Sequence, residues 1–418
     1  MERLTALDAG FLEAEDSDPH VSMAIGAVAV VDGPVPDDES LGATLAQRIL
    51  STPRCSQVLQ TSPFELAAAH WVDDDHLDPG DHLHRASLPR PGDDEMLYRL
   101  VADIMACRLD RDRPLWECWI IEGLEQDRWA LLMKVHPCLA DGIAATRILS
   151  GLCDGDKPAT SANRREATNT AGRGTVCLPS LNPMAWIGGV WNLSVAATGA
   201  AKRAMRGMLE IAGALILPSA ETSLNGSITG MRRYTSVSVP LDDIERVCRE
   251  FEVTVNDVAL AAITDSFRTV GVGRDNRVSM MLPHLPDEHS DAVEQLRAVH
   301  NRLSAAKGSG RRHARNAFVV AANTVPFMLP GPRQRLRILG QEVTRLMPIA
   351  PIALSLRTGI AMLSYADELV FGITADYDAA PDIDELAEGI EKAVSRLVTI
   401  SKAPRRFNGS ATLSLLSS

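Results

Sequence analysis

The chain has 418 residues, 45% of them hydrophobic, and a formal net charge of −12. That is enough apolar material for two domains or one large pseudo-symmetric unit, and the acidic balance excludes a general phosphate-binding surface of the kind nucleic acids need. Seven cysteines (Cys55, Cys107, Cys118, Cys138, Cys153, Cys177 and Cys248) are odd in number and form no Cys-x-x-Cys pair, so neither a zinc site nor a disulfide framework is expected and the thiols read as reduced and cytoplasmic. The first residues carry Glu2, Arg3 and Asp8, which argues against a secretory signal.

In chain order, Ser22 to Val31 is a β-type run closed by the turn pair Asp32-Gly33. Asp93 to Arg108 has helical spacing, with acids at its start that suit a helix N-terminus. Leu115 to Ile121 and Trp129 to Val135 read as strands paired through a turn over Glu122 to Asp127, and Ile143 to Ser150 as a helix. Residues 154 to 180 have a linker composition. Cys177 to Ala201 contains no charged residue, but Pro179, Asn182, Pro183, Gly188, Gly189 and Asn192 interrupt it, and Lys202, Arg203 and Arg206 follow. A connecting helix packed on the protein is the expectation, with an amphipathic segment touching a lipid surface or a membrane span as the other readings. The second half opens with a strand at Tyr234 to Val239, then helices over Leu241 to Phe251 and Asn256 to Arg268, and closes with a helix over Ile383 to Leu397.

Residues 136 to 142 read His-Pro-Cys-Leu-Ala-Asp-Gly. This segment resembles the His-His-x-x-x-Asp-Gly signature of the bacterial wax ester synthase/diacylglycerol acyltransferase family. Other blocks follow in the family's order: Met1 to Leu12; His82, Leu83, Arg85, Leu88, Pro89, Pro91 and Gly92; Leu109 to Glu117; Ile121 to Leu124; Val255 to Leu260; and Ser364-Tyr365, Phe371-Gly372 and Pro381-Asp382. The resemblance implies an α/β fold of two chloramphenicol-acetyltransferase-like halves, residues 1–155 and 222–418, joined by a crossing linker over 156–221, with a substrate tunnel at their interface. It implies an O-acyltransferase that uses long-chain acyl-CoA as substrate and diacylglycerol or a fatty alcohol as acceptor. It also implies no permanent cofactor, no metal, and a location peripheral to membranes or lipid inclusions.

In the family the second histidine is the base that deprotonates the acceptor hydroxyl. Here that position is Pro137, which has no proton to move. The resemblance leaves Asp141 to hold the loop and Gly142 to let substrate approach the backbone. It places Pro114, Leu115, Trp116, Cys138, Asn256 and Asp257 in contact with or in support of the substrate. Pro114-Leu115-Trp116 also reads as the start of a core strand, and Asn256-Asp257 as a helix N-terminal signal.

Could a neighbour replace the base? Strand alternation puts Val135 and residue 137 on one face and Lys134 and His136 on the other, so the His136 ring is expected to point away from the site. Cys138 lacks an evident activating partner, and His284 and His289 read as loop histidines. Two further departures from the family pattern are the abrupt passage from Thr269 to Val278, where a strand is shortened, and the lengthened stretch Asn323 to Pro332. A weakened acyltransferase is the expected reading. The alternatives are a non-catalytic acyl-lipid-binding or interaction protein and a decaying paralogue.

Overall fold

The computed structural model describes residues 4–60, 69–140, 142–154, 226–269, 291–309, 327–329, 331–353 and 356–402. The expectations for 156–221, for His284 and His289, and for the shortened stretch after Thr269 lie outside them. So does half of Asn323–Pro332. Within the described residues the anticipated elements form, with small shifts of their ends.

The first half begins with helix α1 (Ala6–Ser17), opened by a reciprocal cap between Thr5 and Asp8. Strand β1 (Ile25–Asp32) follows, then α2 (Asp38–Ile49), the hairpin β2 (Gln57–Gln60) and β3 (His70–Asp73), and β4 (Leu83–Ser87). Helix α3 (Asp94–Ala106) starts where the acid cluster places it, with the Asp93 side chain accepting from the Met96 amide. Strands β5 (Trp116–Leu124) and β6 (Arg128–Val135) form an antiparallel hairpin. Its turn is tighter than the expected Glu122–Asp127, because Gln126 and Asp127 both take left-handed backbone angles and Leu124 pairs directly with Arg128. Helix α4 (Gly142–Gly151) completes this half.

The second half runs β7 (Arg232–Pro240), α5 (Leu241–Phe251), α6 (Val255–Thr269), α7 (Ala292–Ser309), β8 (Phe327–Leu329), β9 (Arg337–Ile338), β10 (Gln341–Ile349), β11 (Thr358–Tyr365), β12 (Glu368–Asp376) and α8 (Ile383–Lys402). Two sheets result. One has the order β4-β5-β6-β1-β10-β9 and the other β7-β12-β11-β8. Strands β9 and β10 therefore belong to the sheet of the first half, although they come from the 222–418 stretch. Antiparallel pairing of β10 along β1, with Ala29 opposite Leu346, carries the chain across the two halves.

The second sheet buries both faces, and each face joins a different core. Phe371, Ile373 and Ala375 pack with Ile244, Leu260 and Ile390 under the helices. Val370, Tyr234, Leu363 and Tyr365 point the other way and join Val28, Leu131 and Met347 of the first half. At that seam the Tyr234 hydroxyl donates to the Pro348 carbonyl at 3.0 Å, and Arg345 of β10 is bonded to Asp94 and to the Tyr98 hydroxyl. The Tyr98 ring meets Tyr234 edge-on. Gly372 makes the close approach possible: a Cβ there would lie 1.7 Å from the Pro348 oxygen.

No helix among the described residues is long and apolar enough to cross a membrane. The charge-free run 177–201 lies outside those residues.

Candidate functional site

The β6 ladder stops at Val135 for a covalent reason. The His136 amide still donates to the Leu115 carbonyl, 3.0 Å away, but Pro137 has no N–H to continue the pairing. The chain then closes into a turn in which the Leu139 and Ala140 amides both donate to the His136 carbonyl. Strand alternation therefore ends one residue before the motif and does not govern position 137 as expected. Pro137 is buried in this turn. Asp141 lies outside the described residues, and Gly142 is the first residue of α4.

His136 is 1% exposed. Its Nδ1 accepts from the Cys138 amide at 3.2 Å, so in the neutral ring the proton sits on Nε2. Among the described residues Nε2 has no hydrogen-bond partner, and it lies 3.7 Å from Glu15 Oε1, a close electrostatic approach beyond hydrogen-bond reach. Burial pushes the imidazole down to about 4, with the Glu15 carboxylate opposing the shift and Arg111 adding to it. The ring is thus neutral at ordinary pH and turned toward α1.

Glu15 is held from three sides. Its Oε1 accepts from the Met23 amide at 2.8 Å, its Oε2 from Arg111 at 2.8 Å, and the imidazole covers the remaining approach. Arg111 also binds Asp16 and the Leu12 carbonyl. Arg108 donates to the carbonyls of Glu15, Asp18 and Val21, closing the C-terminal end of α1. None of these three residues was singled out in the sequence. The acids at the end of α1 and the arginines after α3 are about ninety positions apart, and no local spacing links them.

The other expected site residues distribute as follows. Cys138 is buried and donates through Sγ to the Asp8 carbonyl at 3.1 Å, and burial pushes its thiol well above the usual range. It is a packing thiol, with no thiolate to attack a thioester. Pro114, Leu115 and Trp116 are buried at the start of β5. Trp116 stacks on His82 and donates to the Cys55 carbonyl at 2.8 Å. Leu115 meets the motif through its carbonyl.

Asp257 lies in the other core, away from the turn. It forms the cap of α6 with Thr254, and its Oδ2 accepts from His300 Nδ1–H at 2.8 Å. Burial alone would raise its carboxyl, but the His300 and Thr254 hydrogen bonds outweigh it and hold the group below the usual range. The helix-signal reading of Asn256-Asp257 describes this geometry, and Asn256 beside it is half-buried. Among the described residues no group of three His, Cys, Asp or Glu side chains is placed to hold a metal ion.

Comparison with known proteins bears on what this arrangement is. Residues 4–259 match the wax ester synthase/diacylglycerol acyltransferase catalytic domain, and residues 314–397 match the C-terminal domain of the same family. The sequence is 44% identical to the "probable" diacylglycerol O-acyltransferase tgs1 of Mycobacterium tuberculosis over the whole of both chains. The structure resembles the wax ester synthase/diacylglycerol acyltransferase of Marinobacter aquaeolei VT8, with a TM-score of 0.67 and 24% identity over 96% of this chain and 99% of that one. It also shares its fold with the first condensation domain of the calcium-dependent antibiotic synthetase, at a TM-score of 0.60 and 15% identity over 96% of each chain. This chain belongs to the wax ester synthase/diacylglycerol acyltransferase family.

Proposed function

We propose that the protein transfers a long-chain acyl group from acyl-CoA to the hydroxyl of a diacylglycerol or fatty alcohol, at a rate lowered by the proline at position 137. The full-length 44% identity to a relative named as a diacylglycerol O-acyltransferase carries the activity. No observation favours the non-catalytic or decaying alternatives. In the reaction the acceptor oxygen attacks the thioester carbonyl, the C–S bond breaks, and the hydroxyl proton ends on the departing CoA sulfur, giving ester and free CoA thiol. A positioned base normally takes that proton and contributes about 10² to 10⁴ in rate.

Three features support the lowered rate. Pro137 carries no titratable atom. The His136 imidazole has Nδ1 committed to the Cys138 amide and Nε2 turned to Glu15. The Cys138 thiol is occupied by the Asp8 carbonyl. Transfer then rests on holding the two substrates in line, which alone is worth several kcal/mol. We place the substrates between the two halves, at the turn over residues 136–140 that carries position 137. Acceptors of this class reside in lipid, and the charge-free run Cys177–Ala201 with Lys202, Arg203 and Arg206 behind it supports work at a membrane or lipid-inclusion surface.

The test is thiol release from palmitoyl-CoA with diolein as acceptor, run for the wild type and for Pro137→His. Wild-type transfer is expected to be at least about a hundredfold slower than that of an active relative, with part of the deficit recovered in the variant. Wild-type turnover equal to the relative's, unchanged in Pro137→Ala, would show that position 137 does not set the rate.

A further inference from the structure

The Glu15–His136 contact has no part in the chemistry above, yet the geometry gives it one task. The turn over residues 136–140 carries position 137, and one side-chain bond fixes its shape from within: His136 Nδ1 accepting the Cys138 amide at 3.2 Å. That bond exists only while the ring proton is on Nε2. Among the described residues Nε2 faces Glu15 Oε1 and no other group that can hydrogen-bond. Glu15 in turn is anchored to Arg111 and to the Met23 amide, two residues before β1, whose Ile25 pairs with Val135. The carboxylate is therefore fixed relative to the strand from which the turn emerges.

We propose that Glu15 and His136 are a positioning pair: the Glu15 carboxylate selects the Nε2–H tautomer, and the Nδ1 lone pair so freed holds the Cys138 amide and sets the turn that presents residue 137. His136 takes no proton from substrate. The proposal rests on the reading that acyl transfer occurs at this turn, but the tautomer itself is a property of the resting protein. Arg111 belongs to the device as the countercharge that keeps Glu15 in place.

The pair is tested in the full chain labelled with ¹⁵N-histidine, the His136 signal being assigned by its loss in His136→Asn. The wild type is expected to show a neutral Nε2–H ring from pH 7.5 to 5.5. In Glu15→Gln the negative charge is gone and a mixture of both tautomers should appear. The activity arm uses Pro137→His, in which added Glu15→Gln should lower kcat at least tenfold with little change in KM. Added His136→Asn, which keeps an acceptor at the Nδ1 position, should retain more kcat than added His136→Ala. A wild-type ring protonated on Nδ1, or a tautomer and kcat both untouched by Glu15→Gln, overturns the proposal. If no variant transfers acyl groups, the functional reading fails, while the tautomer measurement still decides whether Glu15 controls the ring.

Discussion

Lowering the pH from 7 to 5 should cost this protein stability through His136 in particular. The ring is held down to about 4 in the fold against 6.5 for a free imidazole. Between those values the unfolded chain binds a proton that the folded chain refuses, so stability falls as pH falls through that window. Each pH unit inside it is worth about 1.4 kcal/mol, and the span from 6.5 down to 5 gives about 2 kcal/mol. Other histidines add their own slopes, so the measurement is a difference. Urea denaturation followed by tryptophan fluorescence, at pH 7 and pH 5 and constant ionic strength, is run for the wild type and for His136→Gln. The variant is less stable at pH 7, but its loss between the two pH values should be smaller than the wild type's by about 2 kcal/mol. Equal losses would mean that His136 titrates like a solvent-exposed imidazole, and its enclosure by α1, Glu15 and Arg111 would be wrong.

Gly372→Ala should lower the urea midpoint by the equivalent of at least about 3 kcal/mol, because the new methyl meets the Pro348 oxygen at the seam and backbone must move; an unchanged midpoint would show that the halves do not close on that carbonyl. Asp257→Ala should cost about 1 to 3 kcal/mol by removing both the α6 cap and the tie to His300. Asp257→Asn, which keeps an acceptor for the Thr254 amide, should cost less. The ordering of those two midpoints is the check.

Much of the architecture was legible because it depends on local chemistry. The acids at 93–95 start α3, and the apolar runs on either side of the turn within Glu122 to Asp127 make a hairpin. The sequence by itself also fixed the family blocks and the absence of a base at position 137. What it could not contain is long-range pairing. Strand β10 lies in the sheet of the first half because β1 offers it an unpaired edge, β9 adds to β10, and nothing in Gln341–Ile349 names its partner. The orientation of His136 was expected from strand alternation, but the proline ends the strand there. The ring's surroundings are set by Glu15 and Arg111, brought together from opposite ends of the first hundred or so residues. Burial decides the outcome: the same imidazole in water would titrate near neutrality, and only the tertiary structure, by removing water around it, holds it neutral against the pull of the Glu15 carboxylate.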